Sequence, residues 1–354
     1  MQLALLGWNP FFQQHFLDLQ QPALRPARIV EQLNRFLRVR SEDAEYLAEI
    51  AGRVRHQAED RDDLPAVGDW VAITPRPEEG RARIECVLPR QTKLARKVAG
   101  REQSEQIIAT NLDVVFIVSS LNRDLNLRRI ERYLALVWES GARPVVLLNK
   151  SDLCATADAL AADVAGSAPG VPIHLLSAVE GTGIETIRTY LTPGKTAAFI
   201  GSSGVGKSTI INALSGTTSL RVQPAREDDD RGRHTTTSRQ MFFLNDGGIV
   251  IDTPGMRELQ LWDSNEGVGQ TFEDIALLAQ KCKFRDCGHH GEPGCEVEAA
   301  IRAGTLERGR LESHQKLQAE LQFQERKIDP RLASENKSKW KKIHKAMRIH
   351  KPKP

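Results

Sequence analysis

The stretch Gly201-Ser202-Ser203-Gly204-Val205-Gly206-Lys207-Ser208-Thr209 has residue types and spacing suited to holding phosphate. Its glycines let successive backbone N–H groups point at phosphate oxygens where a Cβ would intrude. Lys207 can reach β- and γ-phosphates, and the Ser208 hydroxyl can ligate Mg²⁺. The apolar run 196–200 before it predicts a strand, and Ile210-Ile211-Asn212-Ala213-Leu214 after it a helix. That helix would aim its positive dipole end at the same site. Strand, glycine-rich turn and helix form the context of a P-loop, rather than a turn with no ligand.

Other loops supply what a phosphate site alone lacks. Asn149-Lys150-Ser151-Asp152 follows a predicted strand at 144–148. The Asp152 carboxylate can accept N1–H and N2–H of guanine, which adenine cannot offer, and Asn149 can support the O6/N7 edge. Ser177-Ala178, after a strand at 172–176, can offer a backbone N–H to guanine O6. Asp252-Thr253-Pro254-Gly255 ends an apolar strand: Asp252 suits the carboxylate that reaches Mg²⁺ through water, and Gly255 can turn an N–H onto the γ-phosphate. These are GTPase motifs in an unusual succession, because NKxD and SA precede the P-loop. A circular permutation keeps each loop at its place on a doubly wound sheet and moves only the termini.

Hydrolysis also needs a group to orient water. The position after Gly255 holds Met256, which cannot do so. His234, beside Thr235, Thr236 and Thr237 in an irregular stretch, is the candidate, with Thr236 expected to close on Mg²⁺. Arg231, Arg233 and Arg239 could stabilise charge or bind RNA. Farther on, Cys282-x4-Cys287-x-His289-x5-Cys295 offers three thiolates and an imidazole, a closed tetrahedral set for structural Zn²⁺, with His290 as the rival fourth ligand.

The rest of the chain must position these groups. At 354 residues and 40% apolar content it suits two or three domains with ordinary cores. No segment reads as a signal peptide or bilayer span, and five cysteines with one cluster fit a reduced compartment, so a cytoplasmic protein with no membrane partner is expected. Residues 1–45 read as an amphipathic extension, since Ile29, Val30, Leu33, Phe36 and Leu37 have helical spacing. Residues 46–110 change to short β-type runs (51–54, 68–73, 82–88) that suit an OB-fold barrel, with Trp70 either stacking on bases or in the core. Residues 111–264 alternate strand and helix, 265–325 hold the metal ligands and a helical stretch, and 326–354 form a basic tail. The net charge of +3 hides that tail, eleven cations against two acids, and a second basic block at 76–101. Both raise nucleic acid as a partner.

Barrel, permuted GTPase and Cys-Cys-His-Cys subdomain together resemble the ribosome small-subunit-dependent GTPase A (RsgA) family over about 46–325. The marks are 67–71 (Val-Gly-Asp-Trp-Val), 149–152, 201–209, 232–237, 252–255 and the metal ligands. The resemblance implies an α/β fold: a circularly permuted P-loop GTPase domain with an N-terminal OB-fold barrel and a C-terminal zinc-binding helical subdomain. It implies GTP hydrolysis to GDP stimulated by the small (30S) ribosomal subunit, late maturation of that subunit, and contact with its 16S rRNA. A monomer is expected. A nucleic-acid module with negligible turnover and a P-loop ATPase or kinase are the competing readings; Asp152 argues against the latter.

Overall fold

Residues 29–37, whose apolar spacing predicts a helix, lie instead in two antiparallel strands, β1 (Arg25–Leu33) and β2 (Phe36–Ser41). The helical reading fails because Ala27, Arg28, Ile29 and Val30 are all buried, so β1 is covered on both faces and loses its alternation. The computed structural model describes residues 2–33, 35–58, 61–97, 105–122, 125–216, 239–252 and 265–328. Within it β3 (Glu45–Ile50), β4 (Trp70–Arg76) and β5 (Arg81–Val87) complete a barrel in the order β1-β2-β3-β5-β4, closed by β1–β4 pairing. The barrel therefore begins well before the expected boundary at 46. The run 51–54, read as β-type, is the start of a helix at Gly52–Gln57.

The first helix, α1 (Pro10–Leu17), is capped by Asn9, whose side chain accepts from Phe11 and Phe12 N–H. Its aromatic face seals the barrel: Phe12 and Leu6 join Trp70 and Leu88 in one buried cluster. Trp8 meets Trp70 edge-on at 4.6 Å, and Trp70 is fully buried. Trp70 is core, and its stacking on nucleic-acid bases is excluded.

After a hairpin of β6 (Lys93–Lys97) and β7 (Glu105–Thr110), the second sheet begins with β8 (Val114–Ser120), buried throughout as a central parallel strand should be. It continues with β9 (Arg143–Asn149), β10 (Ile173–Leu176), β11 (Thr196–Ile200), β12 (Gln240–Phe243) and β13 (Ile249–Asp252). Their order is β10-β9-β8-β11-β13-β12, parallel except for β12, which then pairs with β1 of the barrel. On the sheet lie the helix Leu127–Glu139 and, after the P-loop, α2 (Lys207–Ser215). Ile210, Ile211 and Leu214 of α2 pack with Phe116, Phe199 and Val250.

One charged side chain joins these parts. Arg28 is 1% exposed. Its guanidinium donates to Leu6 O before α1, to Gly68 O in the barrel (3.2 Å), to Asn111 O before β8 (3.1 Å) and to Thr196 Oγ1 at the start of β11 (2.9 Å). Burial pulls its pKa down to about 10, against the pull of Asp113 and Asp69, which leaves it charged at neutral pH.

The chain divides into two units, Met1–Gln260 and Leu261–Pro354. The second holds helices Asn265–Thr271, Glu273–Ala279, Glu296–Arg302 and α3 (Arg308–Ile328). Arg310 ties α3 back through Asp274 (two contacts of 2.8 Å) and Thr271 O. His314 lies 5.0 Å from the Phe272 ring with Nδ1 buried and unbonded. Burial, helped by His289 and Arg310 and opposed by Asp274, lowers its pKa to about 4. Unfolded it would titrate near ~6.5, so between those values the unfolded chain takes up a proton that the fold refuses. Stability from this site is complete above pH ~6.5 and falls as pH drops toward 4. His314→Phe should remove about 1 kcal/mol of the loss between pH 7 and 5, allowing for residual screening. Urea midpoints of both proteins at the two pH values measure it; equal pH dependence would clear His314.

Candidate nucleotide site and metal centre

The motif loops fall at the carboxyl ends of parallel strands: Asn149 ends β9, Ser177 follows β10, Gly201 follows β11 and Asp252 ends β13. In chain order they are shuffled; on the sheet they are neighbours. This is the crevice where open α/β sheets bind ligands.

Gly201 (φ 146°) and Gly206 (φ 102°) hold backbone conformations closed to side chains, and a Cβ on them would collide with Val118 O and Asn149 Nδ2 respectively. Lys207 opens α2 with its ammonium on Gly201 O (2.8 Å) and Ser202 O (2.7 Å). Ser208 and Thr209 follow in the first turn, with Ser203 and Gly204 exposed at the loop tip and Val205 buried.

Asn149 has a structural part that the sequence reading does not give it. It is 2% exposed, its Nδ2 donates to Val205 O (2.7 Å), and its Oδ1 accepts from Ala178 N–H (3.1 Å). Through these two bonds Asn149 straps the P-loop to the Ser177-Ala178 turn. Lys150, in left-handed backbone (φ 64°), adds a second strap to Gly204 O at 2.9 Å. Ser177 Oγ accepts from Glu180 N–H and holds the turn. Ser151 and Asp152 continue into a short 3-10 turn, Asp152 being exposed and free to face a base. His234, Thr236 and Gly255 lie outside the described residues, as do Met256, Arg231, Arg233 and the tail from 329.

In the second unit the side chains of Cys282, Cys287, His289 and Cys295 converge, their ligand atoms all within 4.8 Å of one another. His289 Nδ1 is 3.4 Å from Cys295 Sγ and 3.8 Å from Cys282 Sγ, and those sulfurs are 4.0 Å apart. A tetrahedral zinc with ordinary bond lengths needs about 3.5–3.8 Å between donors, so the set fits. Spacing alone could not separate His289 from His290. Glu292 decides it locally, accepting from Gly288 and His290 N–H (3.0 and 2.7 Å) and folding a turn in which His289 takes φ 58° and faces the thiols. The Cys₃His group can hold one metal ion.

The RsgA GTPase family profile matches residues 87–262. A protein of Opitutus terrae, "Small ribosomal subunit biogenesis GTPase RsgA", is 45% identical, the alignment covering 98% of this chain and 97% of that one. The chain belongs to the RsgA GTPase family. A relative of the same name from Syntrophotalea carbinolica is 43% identical over 91% of this chain and 90% of its own. Among solved structures, YjeQ from Thermotoga maritima superposes with a TM-score of 0.65 at 28% identity, covering 84% of this chain and 98% of that one. YloQ, described as a circularly permuted GTPase, shares the fold with a TM-score of 0.58 at 23% identity over 84% and 95%. The chain is a GTP hydrolase with the permuted α/β fold and an N-terminal barrel. Among the described residues no helix is long and apolar enough to cross a membrane.

Proposed function

We propose that this GTPase acts in biogenesis of the small (30S) ribosomal subunit, binding its 16S rRNA and hydrolysing GTP to GDP and phosphate in the cytoplasm, as a monomer. The observation that carries this reading is the double strap of Asn149, which ties the P-loop and the Ser177-Ala178 turn into one site with Asp152 beside them. The relatives' names support the ribosomal role.

In this reading Asp152 selects guanine, and the amides of 201–209 with Lys207 hold the phosphates. Ser208 would ligate Mg²⁺ and Asp252 would reach it through water; Mg²⁺ supplies charge neutralisation between the phosphates. Cys282, Cys287, His289 and Cys295 would hold one structural Zn²⁺, which would tie the loop 282–295 to the helix that Cys295 caps. His234 would orient the attacking water, and Thr236 would join the residues that hold Mg²⁺. The water oxygen bonds to the γ-phosphorus, the bond to the β–γ bridging oxygen breaks, and GDP leaves. Charge on the barrel and tail serves RNA.

The test is phosphate release from GTP with and without purified small subunits, for wild type and His234→Ala. Stimulation in wild type that His234→Ala loses is expected. No stimulation in wild type rejects the ribosomal reading, and full stimulation of the variant rejects the role of His234.

A further inference from the structure

Three residues on neighbouring strands stand side by side: Glu31 of β1 opposite Gln240 of β12, and Gln240 opposite Asp252 of β13. The backbones of Glu31 and Asp252 are thus two strand spacings apart, about 10 Å. Among the described residues the seam between barrel and GTPase sheet is short. Gln32 N–H donates to Arg239 O at 3.1 Å, and the Arg40 guanidinium of β2 lies 4.9 Å from the Phe243 ring centre. Phe243 packs in turn on the cluster of Leu6, Phe12, Trp70 and Leu88. Earlier on β1, Arg28 is fixed to Thr196 at the start of the P-loop strand. Between anchor and seam, the β1–β2 register shifts between Ile29 and Glu31. Such a bulge bends a strand and changes its twist, so the halves on either side are not one stiff rod. One end of β1 is therefore pinned to β11, and the other, past a bend, is joined to the strand beside Asp252. Among the described residues the seam holds one register pair, which can be re-set where a full ladder could not.

We propose that β1 couples the barrel to the nucleotide site, with Gln32 carrying the coupling across the β1–β12 seam. An RNA partner seated on the barrel re-sets the β1–β12 seam and, through Gln240, the placement of Asp252. The inference rests on the ribosome-stimulated reading above and supplies its regulation. Linkage makes the binding part of this effect mutual: by whatever factor RNA on the barrel changes GTP affinity, GTP changes the barrel's affinity for RNA.

Amide hydrogen exchange on the wild-type chain, with magnesium and either GDP or a non-hydrolysable GTP analogue, tests the coupling without any variant. Residues 28–33 should exchange at rates about tenfold apart in the two states; identical rates overturn the proposal. Gln32→Pro removes the seam's donor, and Arg40→Gln removes the cation over Phe243 while keeping the backbone. The ratio of turnover with small subunits to turnover without them should fall about tenfold in Gln32→Pro and by a smaller factor in Arg40→Gln, unstimulated turnover staying the same. An unchanged ratio in both overturns the proposal; should Gln32→Pro not fold, Arg40→Gln and the exchange comparison decide. If wild type shows no stimulation, the ribosomal reading fails by itself and the exchange comparison still judges β1.

Discussion

Arg28→Met should destabilise the protein by about 3 kcal/mol, a large part of a typical folding free energy. The substitution keeps roughly the volume of the side chain but withdraws the donors from Leu6 O, Gly68 O, Asn111 O and Thr196 Oγ1, all in a buried junction. Each acceptor left dry costs about 1–3 kcal/mol, and the relief of no longer burying a charge returns part of the sum. Lysine cannot substitute either, because a compact ammonium cannot fan out to four acceptors on separate segments. Urea denaturation followed by circular dichroism measures the change. A midpoint within error of wild type would show that water or neighbouring groups replace the guanidinium, and would remove Arg28 as the joint between barrel and P-loop strand.

The second large effect concerns the base. Asp152→Asn should weaken GTP binding by about two to four orders of magnitude, since two hydrogen bonds to a carboxylate, each worth about 1.5–3 kcal/mol, lose their charge and one becomes a donor facing a donor. The same change should favour xanthosine triphosphate, whose C2 carbonyl accepts from the new amide. Asp152 is exposed, so the fold should survive and the loss should sit in binding alone. Competition calorimetry with both nucleotides measures it. GTP affinity within threefold of wild type, with no gain for the xanthine nucleotide, would move base recognition elsewhere.

What the sequence reveals follows from how locally each structure is determined. The P-loop is legible because close backbone approach admits only glycine at 201 and 206. Strands β8, β9 and β11 are legible because burial on both faces writes an unbroken apolar run. The same cause hides β1: burial of Ala27 through Val30 erased its alternation, and the remaining apolar positions imitated a helix. Arg28 left no trace, since three of its four acceptors are backbone carbonyls on segments brought together only by the fold. Asn149 is legible as part of the site, but its strap is not, because nothing local to 149–152 tells that Val205 and Ala178 approach it. The metal ligands were readable as a set, while the choice of His289 came from the turn that Glu292 organises.

The order of strands in the GTPase sheet also has a consequence for synthesis. Strand β8 emerges early with β9 and β10, yet its other neighbour, β11, arrives only some eighty residues later. Until then a long apolar strand presents an open rim of N–H and C=O groups on the nascent polypeptide. At the barrel only the Glu31 end of β1 waits for β12, since β4 already pairs Arg25 to Arg28. Rearranging the chain thus moved the exposed edges of the growing domain to its middle strands, where a holding chaperone would find its earliest purchase.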